Sequence, residues 1–290
     1  MITYKTPIDE YNFLLHDFLK ISQKNIQSFS ELNKGFTTEI FEMAGKLASD
    51  VLLPINRIGD IEGCRLENDM VITPKGFTNA FKKLREDGWT SVDCDKEFGG
   101  QGLPISISIL IGEIFSSCNI SLTIYQALTH GAYGAILKYG TEPQKNLYLP
   151  KLVSCEWTGT MNLTEPHCGT DLSLIKTKAE KITNDTFSIS GQKIFISAGE
   201  HDLAENIIHL VLAKIPGGPK GIKGISLFIV PKFTPNKDGS LKERNNVKVG
   251  SIEKKMGIHA NATCVMNYDS AIGYLLGEEH KGLQAMFTMM

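Results

Sequence analysis

The stretch Trp157-Thr158-Gly159-Thr160-Met161-Asn162-Leu163-Thr164-Glu165-Pro166-His167-Cys168-Gly169-Thr170-Asp171, followed by Gly191-Gln192-Lys193-Ile194-Phe195-Ile196-Ser197, decides how this chain folds. From Trp157 to Thr164 the residues alternate. Trp157, Gly159, Met161 and Leu163 fall on one face and Thr158, Thr160, Asn162 and Thr164 on the other, the period of a half-buried strand. That strand delivers Thr164 to its end. There Pro166 fixes φ and has no N–H, and Gly169 admits conformations and approaches that a Cβ blocks. The pattern predicts a loop where a ligand meets bare backbone. Glu165 and Asp171 are expected to brace this loop by accepting backbone hydrogen bonds rather than to act as acid and base.

Upstream, the apolar residues recur at helical spacing. Thr6 is expected to cap a helix from Pro7, with Ile8, Tyr11, Leu15, Phe18 and Leu19 on one side. Ile40, Met43, Ala44, Leu47 and Val51 form a second stripe that Pro54 is expected to stop. Phe77, Ala80, Phe81 and Leu84 form a third after Pro74. Ile105 to Cys118 and Ser121 to Tyr139 read as helices buried nearly all round. From Trp157 the period becomes two, with strands expected at 187–190, 193–197, 207–214, 225–230, 247–249 and 263–268. Short strands separated by Gly, Pro and Asn turns predict an antiparallel barrel or sandwich. The reading is an α+β chain of several domains: helical over 1–156, with 1–36 an extension, β over 157–272, and the start of a further helical bundle over 273–290. Leu283, Met286 and Phe287 begin an apolar stripe there, expected to be exposed.

The 290 residues, 42% of them hydrophobic, can bury a sizeable core. A net charge of −2 with mixed signs argues against nucleic acid as a partner. The start, Met1 to Pro7, lacks a leader's layout, and no apolar run is expected to approach the ~18 residues of a membrane span, so the cytoplasm is the expected location. Cys64, Cys94, Cys118, Cys155, Cys168 and Cys264 are scattered singly without metal-ligand spacing, and read as reduced structural thiols. Cys168, in the loop, has a redox or substrate-contacting role as its alternative. His130, His201 and His259 read as structural. Gly99-Gly100-Gln101-Gly102 does not follow a strand, so it is read as a loop rather than a dinucleotide fingerprint.

The two opening segments, in this order, resemble the acyl-CoA dehydrogenase family. So do Gly88-Trp89 with Glu97-Phe98-Gly99-Gly100-Gln101-Gly102-Leu103-Pro104, Tyr139 to Lys145, Leu149 to Leu152, Lys255-Met256-Gly257-Ile258, and Leu276-Gly277-Glu278 with Lys281-Gly282-Leu283. Residues 40–290 are covered. His259, Thr263-Cys264-Val265-Met266 and Met286 to Met290 point to the longer bacterial enzymes of the 3-methylmercaptopropionyl-CoA dehydrogenase-like subgroup. His167-Cys168 and Thr170 depart from the smaller residues and the Ser usual there.

The resemblance implies FAD as cofactor. Met161, Leu163 and Thr164 would lie along the flavin's pyrimidine side, with Gly169 and Thr170 where flavin and the substrate thioester meet. Phe195 would stack on the ring face and Ser197 would place its hydroxyl near N5. Phe195 as a core strand residue and Ser197 as a turn residue stay open. The implied activity is α,β-dehydrogenation of an acyl-CoA to a trans-2-enoyl-CoA, with electrons passed to an electron-transfer flavoprotein. The implied full-length protein is a homo-oligomer. The catalytic Glu is expected outside these residues, so residues 1–290 alone are expected to bind FAD poorly and to be inactive. Two alternatives remain: an oxygen-using flavoenzyme of the same fold, and a non-catalytic binding or assembly module.

Overall fold

In the computed structural model, which describes residues 3–290, the first half of the chain is helical. Met1 and Ile2, the start of the segment read for a leader, lie outside the described residues. α1 (Ile8–Asn12) follows Pro7, which takes the N-cap position itself. Thr6 contributes only its carbonyl, accepting from the Ile8 N–H at 2.9 Å, so the expected side-chain cap is not made. A π turn over Phe13–Phe18 then puts the expected stripe out of phase. Tyr11 and Leu15 are buried, but Phe18 is 69% exposed.

α2 (Lys34–Leu47) is capped by the Asn33 side chain, and a π turn over Ala48–Leu52 carries it into α3 (Leu53–Glu62). Pro54 therefore does not stop the helix. It occupies the first turn of α3, where a missing N–H leaves no intrahelical bond unmade. β1 (Arg65–Glu67) and β2 (Met70–Ile72) form a hairpin that the sequence reading did not anticipate. Its signal is Asn68-Asp69, both at positive φ as a two-residue hairpin turn of the primed type requires.

α4 (Phe77–Glu86) buries Phe77, Ala80, Phe81 and Leu84 as expected. α5 (Ile105–Tyr139) is one helix broken at Asn119, whose side chain caps the second half by accepting from the Leu122 N–H at 3.1 Å. It is not buried all round, because Ile105 and Ile109 are each 62% exposed. Contrary to the sequence reading, α5 is long and apolar enough by length and composition to cross a membrane, although half of its most apolar stretch is buried within the fold. α6 (Glu142–Val153) starts at a reciprocal Thr141–Gln144 capping box.

The second half carries β3 (Trp157–Asn162), β4 (Lys178–Lys181), β5 (Thr186–Ser197), β6 (Asn206–Lys214), β7 (Ile225–Pro231), β8 (Phe233–Pro235), β9 (Leu241–Arg244), β10 (Val247–Ile252) and β11 (Thr263–Leu276). The main sheet runs β10-β11-β5-β4-β6-β3, and β7 bonds to both β11 and β6. The all-antiparallel expectation is corrected, because β3 lies parallel to β6 along its whole length. The intervening β4–β5 pair returns the chain to the starting end before β6 begins. The expected strands at 187–190 and 193–197 are one strand through Gly191, and β4, β8 and β9 were missed because segments such as Lys-Ala-Glu-Lys carry no apolar period.

β3 is buried on both faces rather than half-buried. α5 covers the face that carries Gly159, where a Cβ on Gly159 would stand 2.3 Å from Ala132. The polar face points inward and is satisfied there by His201, His209 and Tyr268. α7 (Gly282–Met286) lies against β7, and Met286 is fully buried. The expected exposed stripe therefore reduces to Phe287, 55% exposed, because Leu283 and Met286 pack into the core around Trp157 and Ile229.

Candidate functional site

The loop after β3 is built around Glu165. Its backbone exchanges two hydrogen bonds with Cys168, closing a turn over Pro166-His167. Its buried carboxylate accepts from the Lys176 N–H at 2.7 Å, the Thr177 N–H at 3.0 Å, the Thr177 hydroxyl at 2.6 Å and Lys193 Nζ at 2.9 Å. Burial pushes this carboxyl up, but the Lys193 charge and the hydrogen-bond donors outweigh it and hold Glu165 below its usual range. Asp171 accepts from the Ser173 N–H at 2.9 Å. Both carboxylates thus brace backbone, as expected from the sequence.

Lys193 of the strand motif has no role assigned by the sequence alone. Its side chain is 0% exposed, and its Nζ also donates to the Leu163 carbonyl at 2.9 Å. A lysine at a buried strand position demands a counter-charge, and Glu165 was the available acid. Gly191 permits the bracing, since a Cβ there would stand 2.5 Å from Thr177 Oγ1. Gly169, by contrast, has an ordinary negative φ; its requirement is closeness, because a Cβ would come 3.3 Å from Thr164 Cγ2.

Lys193 and the bond from the Ile194 N–H to the Thr164 carbonyl, 2.9 Å, lock the end of β3 onto β5. One residue later Phe195 has φ of 58°, an unusual left-handed conformation for an aromatic residue. The register between β5 and β11 slips there, so Ile194 and Phe195 together stand opposite Val265. The bulge turns the Phe195 ring outward, leaving it 59% exposed. It is not a core strand residue. Ser197, two residues on, pairs with Thr263 and is half-buried. Thr164 is half-buried, Gly169 and Thr170 are exposed, Met161 is partly buried and Leu163 is buried. This surface joins an outward aromatic face to hydroxyl and backbone groups, which suits a planar, polar-edged ring such as a flavin.

Comparison with known proteins gives the same direction. The description "Acyl-CoA dehydrogenase, N-terminal domain" matches residues 38–156, and "Acyl-CoA dehydrogenase, middle domain" matches residues 160–271. The chain belongs to the acyl-CoA dehydrogenase family. Within that family it is 41% identical to 3-methylmercaptopropionyl-CoA dehydrogenase of Ruegeria pomeroyi over 100% of this chain and 49% of that protein. It is 39% identical to a butyryl-CoA dehydrogenase of Syntrophomonas wolfei over 84% of this chain and 42% of that one. An acyl-CoA dehydrogenase from Bacillus anthracis, solved in complex with FAD, superposes with a TM-score of 0.71 at 26% identity, over 93% of this chain and 41% of that one. The chain thus spans about half the length of the curated relatives it matches.

The remaining sequence candidates sort by burial. His201 accepts from the Leu203 N–H through Nδ1 and meets the Thr158 hydroxyl through Nε2, both inside the core. His259 bonds the Asp60 and Lys255 carbonyls. All six cysteines are free thiols, and burial raises Cys168. Two groupings escaped the sequence reading, Asp93 with Cys94 and His130, and Glu165 with His167 and Cys168, each with its ligand-type atoms within 4.8 Å of one another. In the second, Lys193 and Thr177 already occupy Glu165. In the first, His130 Nε2 lies 3.0 Å from Asp93. Residues thirty-seven apart in sequence show no spacing signal.

Proposed function

We propose that this chain is the helical and β portion of an FAD-dependent acyl-CoA dehydrogenase, which oxidises an acyl-CoA thioester to the trans-2-enoyl-CoA and passes the electrons to an electron-transfer flavoprotein. The observation that carries the reading is Phe195, held outward at a bulge one residue beyond the bond joining β5 to Thr164. FAD, when bound, supplies the hydride acceptor. Phe195 offers its ring a flat apolar face, and Met161 in β3 and Leu163 just beyond its end bound it. Thr164 and Ser197 supply hydroxyl donors to polar ring edges, where charge accumulates on reduction. Gly169 and Thr170 leave the loop open to the thioester. Glu165 is not the base, since its carboxylate is fully engaged.

The proposal keeps the domain division at 156/157 and 272/273, and includes a homo-oligomeric full-length protein in the cytoplasm. Its test is direct. Full-length protein containing this sequence should purify yellow, release FAD on denaturation, and lose its flavin absorbance when an acyl-CoA is added without oxygen. A colourless protein that takes up no added FAD sinks the reading.

A further inference from the structure

The segment between α4 and α5 brings Asp93 and Cys94 against His130 of α5. A carboxylate oxygen, the thiol sulfur and a ring nitrogen of these three residues all lie within 4.8 Å of one another. Asp93 and His130 by themselves make an ion pair, with Nε2 3.0 Å from the carboxylate. The hydrogen bond to Asp93 raises His130 despite burial. An ion pair has no use for a thiol, yet Cys94 stands beside this one, 2% exposed. Backbone bonds fix the arrangement. The Cys94 carbonyl accepts from the Gly102 N–H at 3.0 Å, and the Leu103 N–H donates to the Val92 carbonyl at 2.9 Å. The Asp95 N–H donates to the Tyr133 hydroxyl at 2.9 Å, and Tyr133 follows His130 by one turn of α5. The segment that carries two of the groups is thus pinned to the helix that carries the third. In the grouping of Glu165, His167 and Cys168, by contrast, four donors already occupy the carboxylate.

We propose that Asp93, Cys94 and His130 bind a zinc ion that staples the segment between α4 and α5 to α5. A tetrahedral zinc with nitrogen and oxygen at about 2.0–2.1 Å holds those two atoms about 3.3 Å apart, and a thiolate at about 2.3 Å stands about 3.6 Å from each. The 3.0 Å pair must open by about 0.3 Å and the sulfur approach by at most about 1.2 Å, which small torsion changes supply. A donor set of thiolate, imidazole and carboxylate suits zinc, whereas magnesium and calcium take oxygen alone. Coordination expels the Cys94 thiol proton and the His130 proton to solvent. The cavity of about 260 Å³ that Asp93 and His130 line admits a water to the fourth position. Nothing in this inference depends on the flavin reading.

The test uses the full-length protein, stripped with a chelator and then given Zn2+ or Co2+ alone. Wild type should take up a single zinc ion per chain against a chromophoric chelator, with release of protons and a rise in Tm. Co2+ should give the intense visible bands of a tetrahedral, thiolate-bound ion, to the red of flavin absorption. Cys94→Ser and His130→Gln should each weaken zinc binding by at least about 100-fold, the upper end of what loss of an outer-shell partner costs. A wild-type protein that takes up no zinc, or that gives only the weak bands of octahedral Co2+, overturns the inference without any variant having to fold. Zinc binding that survives in either variant places the ion elsewhere and overturns it equally.

Discussion

Lys193 Nζ lies 2.9 Å from Glu165 Oε1 with both side chains almost wholly out of water, so a buried ion pair ties the loop after β3 to the middle of β5. The same ammonium holds the Leu163 carbonyl. The pair therefore sets where Thr164 stands relative to Phe195, and its removal is expected to disturb the site before it touches any ligand.

Lys193→Met leaves a buried carboxylate without its counter-charge and should cost about 3–5 kcal/mol of folding stability. Pairing it with Glu165→Gln removes the uncompensated charge and should recover part of the loss. Denaturant unfolding of both single variants and the double variant reads the coupling, and strictly additive losses refute it.

Thr164→Ala and Ser197→Ala should each weaken FAD binding by about 1 kcal/mol, roughly fivefold. Equilibrium dialysis and the flavin potential report this. Unchanged values in both variants would mean the ring lies elsewhere.

At Phe195 the left-handed backbone costs a non-glycine residue about 1–2 kcal/mol. Phe195→Gly should therefore be more stable than Phe195→Ala as apo-protein, by about 1 kcal/mol, while both variants lose FAD affinity. Equal stability of the two would argue that the bulge relaxes without strain.

His201 and His209 are fully buried, and burial, with the Lys232 charge, pushes both down to about 3. Between the ordinary value of 6.5 and that level the unfolded chain binds protons that the folded chain refuses. Their contribution is thus complete above about pH 6.5 and is lost on acidification, at about 1.4 kcal/mol per pH unit for each histidine. His130 acts in the opposite sense, but it is 37% exposed and weighs less. Unfolding free energies measured from pH 6.5 to 5.5 stay above the ordinary carboxylate value of 4.5 and should fall steeply in wild type. The slope should be shallower by about half in His209→Asn, and an unchanged slope refutes the account.

Sequence by itself determined the switch from a helical first half to a stranded second half, the bracing role of Glu165 and Asp171, and the adjacency of the two site segments, because apolar period and loop chemistry are local properties. It misjudged Pro54 and the stripe through Phe18, because a π turn changes helical phase without any residue signature, and Thr6, because Pro7 takes the cap position itself. It missed the parallel β3–β6 pair, because strand direction depends on what the intervening chain does in space. The outward turn of Phe195 was equally hidden, since it comes from a register slip against β11, a strand almost seventy residues away in sequence. The role of Lys193 belongs to the tertiary structure alone, because whether a buried charge has a partner is decided only when distant residues are packed around it.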